Sequence, residues 1–333
     1  MAVTLDEIAK RLGVSTVTVS NALSGKKGLS DKLREDIMRT AEEMGYKKQK
    51  RVKKVLKEEG KHIAVVVPER YLEMHRSFYW ELYQKVAYAA SLRGCFTTID
   101  ILNYEFEQED RLPRILSDLK TEGIIVVGWV EKHYSRMLKN KVKLPMVYLD
   151  YYDENITCDA VVSNNYYGMY QITNYMIHMG HKKIGFVGTT LATGSIMDRF
   201  QGFVKAMLEH GLSIEDKWII DDRDVDTGNI QIKLPEELPE AFVCNSDFTA
   251  GIMSELLEER GYQIPADISL AGYDNYLYDN SLARILTTYD VEMEVMAEQV
   301  LDILLDKIKT GISAGGIHIT QGKLLVRNSV RKL

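Results

Sequence analysis

The chain has 333 residues, of which 45% are hydrophobic, so it can bury a large core, and its length suggests two or three folding units. No apolar run approaches the roughly 18 residues of a membrane helix, and the start, MAVTLDEIAKRLG, lacks the pattern of a signal peptide. These features argue against membrane and secreted proteins, and we expect a soluble protein of the cytoplasm.

The charge is unevenly distributed along the chain. Residues 1–62 contain 15 Lys and Arg against 9 Asp and Glu, a net charge of +6. The remainder contains 27 against 39, a net charge of −12. A basic head on an acidic body is typical of a nucleic-acid-binding protein with a separate regulatory domain.

Three short helices are predicted in the basic head. The first follows a capping box formed by Thr4 and Glu7, and Gly13 ends it. The second, 16–23, is capped by Ser15, and the third runs from a cap at Ser30 to Met44. The predicted inner stripe of the third helix is Leu33, Ile37, Met38 and Ala41.

The second helix carries the residue types of a DNA-recognition helix. Thr16, Val17 and Asn21 point away from its apolar side, so the methyl groups of Thr16 and Val17 could contact a thymine methyl, while the amide could pair with adenine. Short hydroxyl side chains suited to phosphate oxygens surround them: Thr4, Ser15, Thr18 and Ser20. From composition alone, a capped three-helix bundle with polar outer residues is an equal alternative.

A basic linker follows, in which KKQKRVKKVLK (47–57) contains seven Lys and Arg in eleven residues. Beyond it, apolar runs alternate with amphipathic helices, which is typical of an α/β domain with parallel sheets. The predicted strands cover 62–67, 95–102, 123–127, 146–150, 160–163, 184–187, 241–244 and 268–272, and the predicted helices cover 78–93, 110–120, 167–179, 197–210, 249–261 and 291–309.

Polar and aromatic residues follow several of these predicted strands. Tyr71, Trp129, Asp150, Asp247 and Asp274 each come soon after a strand. Because open parallel sheets bind ligands at the carboxyl ends of their strands, these residues are candidate ligand contacts. For Asp274 the sequence favours a turn and packing role over ligand contact, since Asp favours turns.

No motif of a known catalytic or metal site is present. The sequence contains no GxSxG, HExxH, Walker loop or GxGxxG, and its seven His residues are not grouped. Cys95, Cys158 and Cys244 occur singly in apolar runs, which indicates buried free thiols. We therefore expect no enzyme, no catalytic residue, no metal and no cofactor.

A set of motifs in a fixed order resembles the lac repressor/gal repressor (LacI/GalR) family of transcription regulators. VTLDEIAKRLGVSTVTVSNALSGKKGLSDKLREDIMRTAEEMGY (3–46) is similar to the family's headpiece nearly position by position. Family-like landmarks continue through the body: LPMVYLD, GHKKIGFVG, DRFQGF, CNSDFTAG, ISLAGYDN, LTTYD and LLVRNSV. The resemblance covers essentially the whole chain.

The resemblance implies an α/β fold with an N-terminal three-helix helix-turn-helix headpiece and a two-subdomain, periplasmic-binding-protein-like sensor with two doubly wound parallel sheets. The implied domains are 1–46 for DNA binding, 47–60 as a basic hinge, and 61–333 for ligand sensing. Within the sensor, the N-subdomain covers about 61–161 plus 290–320, and the C-subdomain covers about 162–289 plus 321–333.

The linker departs from the family's usual hinge helix. Lys48 and Gln49 replace the usual Pro-Asn pair, and Val55 or Leu56 must supply the residue that wedges into the minor groove. Lys50 and Arg51 would contact phosphates. The alternatives are an altered hinge that folds on DNA and a disordered basic tether.

In the sensor, the resemblance implies that Arg199 and Asp247 are the main polar anchors of the ligand. Phe78, Trp80 or Trp129 would offer an aromatic face, although core packing is an equal role for Phe78 and Trp80. Thr193 and Ser195, expected on the loop before Arg199, would form hydrogen bonds with the ligand or, equally, with solvent.

The expected function is that of a repressor controlled by a small metabolite such as a sugar. We expect a homodimer on a pseudo-palindromic double-stranded operator and no membrane partner. The alternatives are a regulator that responds to a protein corepressor and a solute-binding protein.

Overall fold

A computed structural model describes residues 5–23, 31–44, 60–72, 77–118, 121–152, 158–224, 228–276, 281–312 and 315–333. The description omits the side chains of Leu5, Asp6, Val17, Ser20, Leu23, Asp31, Glu42, Ser117, Asp118 and Ser281. The chain divides into two compact units, Met1–Glu58 and Glu59–Leu333. The finer boundaries expected at 46, 60, 161 and 290 stay predictions. None of the described helices is both long enough and apolar enough to span a membrane.

The N-terminal unit contains the three expected helices, α1 (Leu5–Leu12), α2 (Thr16–Leu23) and α3 (Asp31–Glu43). One small core holds them together, formed by Ile8, Ala9, Val19, Ala22, Ile37 and Ala41. The expected inner position of Met38 is wrong, because its side chain is 55% exposed. Successive residues on a helix lie about 100° apart, and on α3 the side that Ile37 and Ala41 bury leaves Met38 turned toward solvent.

The larger unit begins with a six-stranded sheet whose strands are all parallel. In chain order they are β1 (His62–Pro68), β2 (Phe96–Leu102), β3 (Gly123–Val127), β4 (Met146–Leu149), β5 (Asp159–Ser163) and β11 (Gly316–Thr320), arranged as β11-β5-β4-β3-β1-β2.

Both faces of this sheet are covered by helices. One face packs against α4 (Phe78–Leu92) and α11 (Met293–Thr310) and the other against α7 (Lys132–Lys141). Since side chains alternate between the faces of a strand, β1 sends Ile63 and Val65 to the first face and Ala64 and Val66 to the second.

The helix expected over 110–120 is wrong for residues 110–114, is confirmed as α6 (Ile115–Asp118), and lies outside the described residues at 119–120. A further short helix, α5 (Tyr104–Gln108), precedes it, and the stretch between the two is irregular. Pro113 lies in that stretch, and a proline inside a helix removes a backbone hydrogen bond. The sequence analysis also missed α7, in which seven of the ten residues are charged or polar and the apolar stripe is reduced to Tyr134, Met137 and Leu138.

A second, four-stranded parallel sheet lies further along the chain, with the order β7-β6-β8-β9. Its strands are β6 (Ile184–Val187), β7 (Ile219–Ile220), β8 (Ala241–Cys244) and β9 (Ser269–Ala271). The helices α8 (Asn165–His178) and α9 (Gly194–Glu209) cover one face and α10 (Asp247–Glu259) covers the other. The two doubly wound sheets confirm the expected fold class.

The chain passes between the two sheets three times. It leaves the first sheet after β5, returns through β10 (Thr288–Asp290) and α11 to β11, and leaves again through β12 (Lys323–Leu325), which pairs antiparallel with β10. The first and third crossings are hydrogen-bonded to each other, since the Asn164 N–H donates to the Thr320 carbonyl at 3.0 Å.

The last helix is fixed to the first sheet by a buried ion pair. Lys307 Nζ of α11 lies 2.9 Å from Asp159 Oδ2 and also donates to the Met146 carbonyl at 2.8 Å. The second carboxylate oxygen of Asp159 lies 2.9 Å from His318 Nε2 on the edge strand β11. Because the Lys307 and Asp159 side chains are at most 8% exposed, each depends on the other for charge compensation.

We predict that Lys307→Ala destabilises the larger unit by about 3–5 kcal/mol, because it leaves a buried carboxylate without its cation. Urea unfolding followed by tryptophan fluorescence measures this, since Trp80, Trp129 and Trp218 all lie in that unit. The matched control is Lys309→Ala, an exposed lysine on the same helix, which should cost less than about 0.5 kcal/mol. Equal losses in the two variants would contradict the role of the pair.

Candidate functional site

A cleft of about 310 Å³, including space open to solvent, lies where the carboxyl ends of the two sheets meet. Its walls combine aromatic rings with short polar side chains. The lining residues are Tyr79, Trp129, Asp150, Tyr151, Tyr152, Val162, Asn165, Thr193, Gly194 and Ser195.

Asp150 is the carboxylate of this cleft. It follows β4 directly in the left-handed region, with φ of 59°, a conformation that Asp tolerates better than most residues. Its Oδ2 accepts a hydrogen bond from the Tyr79 hydroxyl at 2.9 Å. Burial raises the pKa of Asp150, while the charge of Arg199 and the hydrogen bond from Tyr79 lower it. Burial removes water from the carboxyl group of Asp150, so a ligand hydroxyl in the cleft can take the place of that water and donate a hydrogen bond to it.

Tyr79 and Trp129 form one wall of the cleft, the aromatic wall, and an ion pair between Arg70 and Glu107 fixes the position of Trp129. The Arg70 guanidinium lies 4.7 Å from the centre of the Trp129 ring and 5.3 Å from that of Tyr71. It donates to the Trp129 carbonyl at 2.6 Å and to Glu107 Oε2 at 2.6 Å. Glu107 is fully buried and also accepts from the Glu131 N–H. These contacts fix both the backbone and the ring of Trp129.

The hydroxyl groups of the opposite wall lie at the start of a helix. Thr193 is the N-cap of α9, and its Oγ1 accepts from the Ile196 N–H at 3.2 Å and lies 3.0 Å from Ser195 Oγ. The expectation that both residues lie on a loop before Arg199 is therefore wrong for Ser195, which is in the first turn. Thr193 caps the helix because its backbone is extended and its hydroxyl faces the free N–H groups.

Arg199 lies behind this wall, on α9, and is only 7% exposed. Its Nε donates to Asn165 Oδ1 at 2.8 Å and its Nη1 to the Asn245 carbonyl at 2.7 Å. The guanidinium also lies over the Tyr273 ring, 4.0 Å from its centre. Arg199 therefore orients Asn165, which lines the cleft, and does not itself line it.

Asp247 and Asp274 form a buried pair of carboxylates further inside. Asp247 Oδ1 accepts from the Thr288 hydroxyl at 2.6 Å, and Asp274 Oδ1 accepts from the Tyr276 N–H at 3.0 Å. Burial raises the pKa of Asp247 to about 7, and burial together with the charge of Asp247 raises that of Asp274. Neither residue lines the cleft. Asp274 has a positive φ of 95°, which agrees with the turn role that the sequence favoured.

Phe78 contributes to the contact between the subdomains and does not line the cleft. Its ring makes edge contacts with Tyr79 and Tyr276, at centroid distances of 5.3 and 5.9 Å. Tyr71 packs against Tyr79 at 4.2 Å and so supports the same aromatic wall.

Of the eight candidate ligand residues, the structure thus brings three to the cleft surface: Trp129, Asp150 and Thr193. Tyr71 and Arg199 support lining residues, and Asp247 and Asp274 lie deeper. The sequence analysis missed Tyr79, Tyr151, Tyr152 and Asn165. Asn165 and Tyr151 come within two residues of a strand end, a signal that would have found them.

In the N-terminal unit, the described recognition residues are Ser15, Thr16, Thr18 and Asn21. Thr16 is exposed and Asn21 is half-buried. Ser15 Oγ accepts from the Thr18 N–H at 3.1 Å and lies 2.8 Å from Thr18 Oγ1, so it caps α2 as expected. The remaining candidates lie outside the described residues or side chains: Thr4, Val17, Ser20, Lys50, Arg51, Val55 and Leu56.

Two family models match the chain. The model described as bacterial regulatory proteins, lacI family, matches residues 4–49, and the periplasmic binding protein-like domain matches residues 173–330. Curated relatives include the HTH-type transcriptional repressor PurR of Vibrio campbellii, 25% identical, and that of Vibrio parahaemolyticus, 26% identical, each over 99% of both chains.

Solved structures share the fold. A lac repressor dimer bound to operator and the anti-inducer ONPF aligns with a TM-score of 0.67 at 18% identity, over 99% of this chain and 100% of that one. A complex of the transcriptional regulator CelR with cellobiose aligns with a TM-score of 0.66 at 21% identity, over 98% and 99%. The chain thus joins a headpiece of the lacI family of bacterial regulatory proteins, residues 4–49, to a periplasmic-binding-protein-like domain, residues 173–330, which is the domain organisation of ligand-responsive, DNA-binding repressors of the LacI/GalR type.

Proposed function

We propose that this protein is a repressor that binds a pseudo-palindromic operator as a homodimer and whose affinity for DNA changes when a sugar binds in the cleft. The observation that carries the proposal is the cleft itself, in which a fixed tryptophan faces carboxylate, amide and hydroxyl groups. Operator DNA is in the cytoplasm of a bacterium, so the proposed function places the protein there in a regulatory and not a catalytic role.

The cleft chemistry favours a sugar. Trp129 and Tyr79 offer flat apolar faces for the C–H groups of a pyranose ring. Asp150 and Asn165 offer planar groups that can bind neighbouring hydroxyls, and the hydroxyls of Thr193 and Ser195 can donate or accept. The cellobiose complex of CelR supports the same ligand class by fold analogy.

An exposed apolar surface supports the homodimer. Along α4, β2 and the start of α5, five large side chains are at least half exposed: Tyr88, Leu92, Phe96, Ile101 and Tyr104. Large apolar side chains exposed on an edge strand and on the helices next to it favour a protein contact. A twofold dimer would present two headpieces to two half-sites, as the lac repressor dimer does with its operator.

We predict that at least one sugar in a panel of hexoses and disaccharides raises the melting temperature, and that Asp150→Ala weakens its binding about tenfold to 150-fold. Charge-assisted hydrogen bonds contribute about 1.5–3 kcal/mol, and this change removes them. Thermal shift identifies the sugar and calorimetry measures the affinity. Glu255→Ala, an exposed carboxylate on α10, is the control and should bind as wild type. Unchanged affinity in Asp150→Ala would reject this site.

We predict that Arg70→Lys weakens binding of that sugar several-fold and makes Trp129 more accessible to acrylamide. Lysine keeps a positive charge beside Glu107 but loses the flat stack on the ring and the fork that reaches the Trp129 carbonyl. Stern–Volmer quenching of tryptophan fluorescence measures the change. In a Trp129→Phe background the same substitution should leave quenching unaltered, and a persisting increase there would assign the effect to another tryptophan.

We predict that a chain lacking residues 1–60 loses DNA binding and keeps its sugar response. The headpiece carries the basic charge and forms a separate compact unit. An operator selected from random DNA provides the probe for gel-shift measurements. DNA binding by the truncated chain would overturn the domain assignment.

In the full chain, we predict that Asn21→Ala costs about 1–3 kcal/mol of discrimination at one base-pair position of the same operator.

A further inference from the structure

Arg223 is an arginine whose orientation is fixed by a buried carboxylate. It lies just after β7, at the carboxyl end of the second sheet. Its Nε donates to Asp222 Oδ1 at 3.0 Å and its Nη2 to Asp222 Oδ2 at 2.7 Å. This two-point contact holds one edge of the flat guanidinium against Asp222. The sequence analysis did not single out either residue.

Asp222 is anchored by more than this arginine. It is fully buried and also accepts from the Thr189 N–H at 2.9 Å, Asn245 Nδ2 at 2.7 Å and Thr249 Oγ1 at 2.9 Å. Burial raises its pKa, but the bonds and charge of Arg223 and these donors outweigh burial and hold the pKa at about 2. Asp222 therefore stays ionised at any ordinary pH and keeps Arg223 in one position.

The other edge of the guanidinium has no acceptor among the described residues, and the Arg223 side chain is 23% exposed. Arg223 lies at the strand-end edge of the second sheet that also bears part of the cleft. Its carbonyl accepts from the Thr189 hydroxyl at 2.8 Å, and Thr189 precedes the cleft residue Thr193 in the segment between β6 and α9. Asn245, whose amide donates to Asp222, accepts from Arg199 through its carbonyl. Arg223 itself is not among the residues that line the 310 Å³ cleft, so a ligand group that reaches it extends beyond that space.

From this arrangement we propose that Arg223 binds an anionic oxygen group of the ligand, so that the effector is a sugar that carries a carboxylate or a phosphoryl group. The proposal rests on the sugar function proposed above. An arginine with one edge on a buried carboxylate and the other edge open can bind a second planar or tetrahedral anion without reorganising. A ligand that covers the open edge without an acceptor there would leave guanidinium N–H donors without a hydrogen-bond partner.

The test compares neutral sugars with their charged derivatives. The panel of hexoses and disaccharides is screened together with the corresponding aldonates and 6-phosphates, and calorimetry measures each pair. We expect an aldonate or phosphate to bind at least tenfold more tightly than its neutral parent. In Arg223→Gln the charged member should bind about tenfold to 100-fold more weakly, with the affinity for the neutral parent unchanged.

Two further variants separate binding from stability. Arg223→Lys keeps a cation beside Asp222 and loses the fork, so its affinity for the charged sugar should fall between those of wild type and Arg223→Gln. Arg136→Gln, an exposed arginine on α7, should behave as wild type. The melting temperatures of the unliganded variants show whether the fold has changed.

The outcomes are distinct. Equal binding of neutral and charged members, or an equal loss for both in Arg223→Gln, would overturn the anionic ligand and assign Arg223 a structural role, while leaving the sugar-binding function intact. Failure of every neutral and charged sugar to bind would instead reject the sugar-binding function, and this inference with it.

Discussion

The organisation of the cleft depends on compensating one buried positive charge, that of Arg199. A guanidinium removed from water is stable only where hydrogen-bond acceptors and negative charge surround it. Here the partners come from different elements: Asn165 from α8, the Asn245 carbonyl from the end of β8, and the face of Tyr273 after β9. The contacts of Arg199 therefore fix both the position of α9 on the second sheet and the position of the Asn165 amide in the cleft.

The positive charge of Arg199 acts on both subdomains. It lowers the pKa of Asp150, which follows a strand of the first sheet, and that of Asp274, which follows a strand of the second sheet, whereas burial raises both. Close packing at the crossings adds to this connection, because a Cβ on Gly168 would lie 2.7 Å from the Tyr273 hydroxyl and 2.8 Å from the Tyr289 ring. A ligand that bridges both walls acts on a junction that is already closely packed, so its binding energy can favour one arrangement of the subdomains. By linkage, a ligand that changes DNA affinity is itself bound differently on DNA.

The two walls of the cleft have different origins and different chemistry. The first sheet supplies the aromatic wall, which Arg70 and buried Glu107 hold rigid. The second sheet supplies the short polar side chains at the start of α9. At the strand ends of both sheets a buried carboxylate orients an arginine: Glu107 orients Arg70, which contacts Trp129, and Asp222 orients Arg223. Such support keeps a binding site ordered before the ligand arrives, which lowers the entropy cost of binding.

The sequence by itself determined the fold class, the helices of the headpiece and most strands, because these follow from local periodicity, caps and glycine stops that act within a few residues. It also identified Trp129 and Asp150, since each follows a strand end, and Thr193, from its place before Arg199 in the family-like segment. It did not determine that residues 110–114 are not helical, or that Met38 faces solvent. Only the tertiary structure placed Arg199 behind Asn165, buried Asp247 away from the cleft and joined Asp222 and Arg223 to the strand ends of the second sheet. These relations join residues that are far apart in the chain, and their geometry is set by the packing of the two sheets across three crossings, which no local pattern encodes.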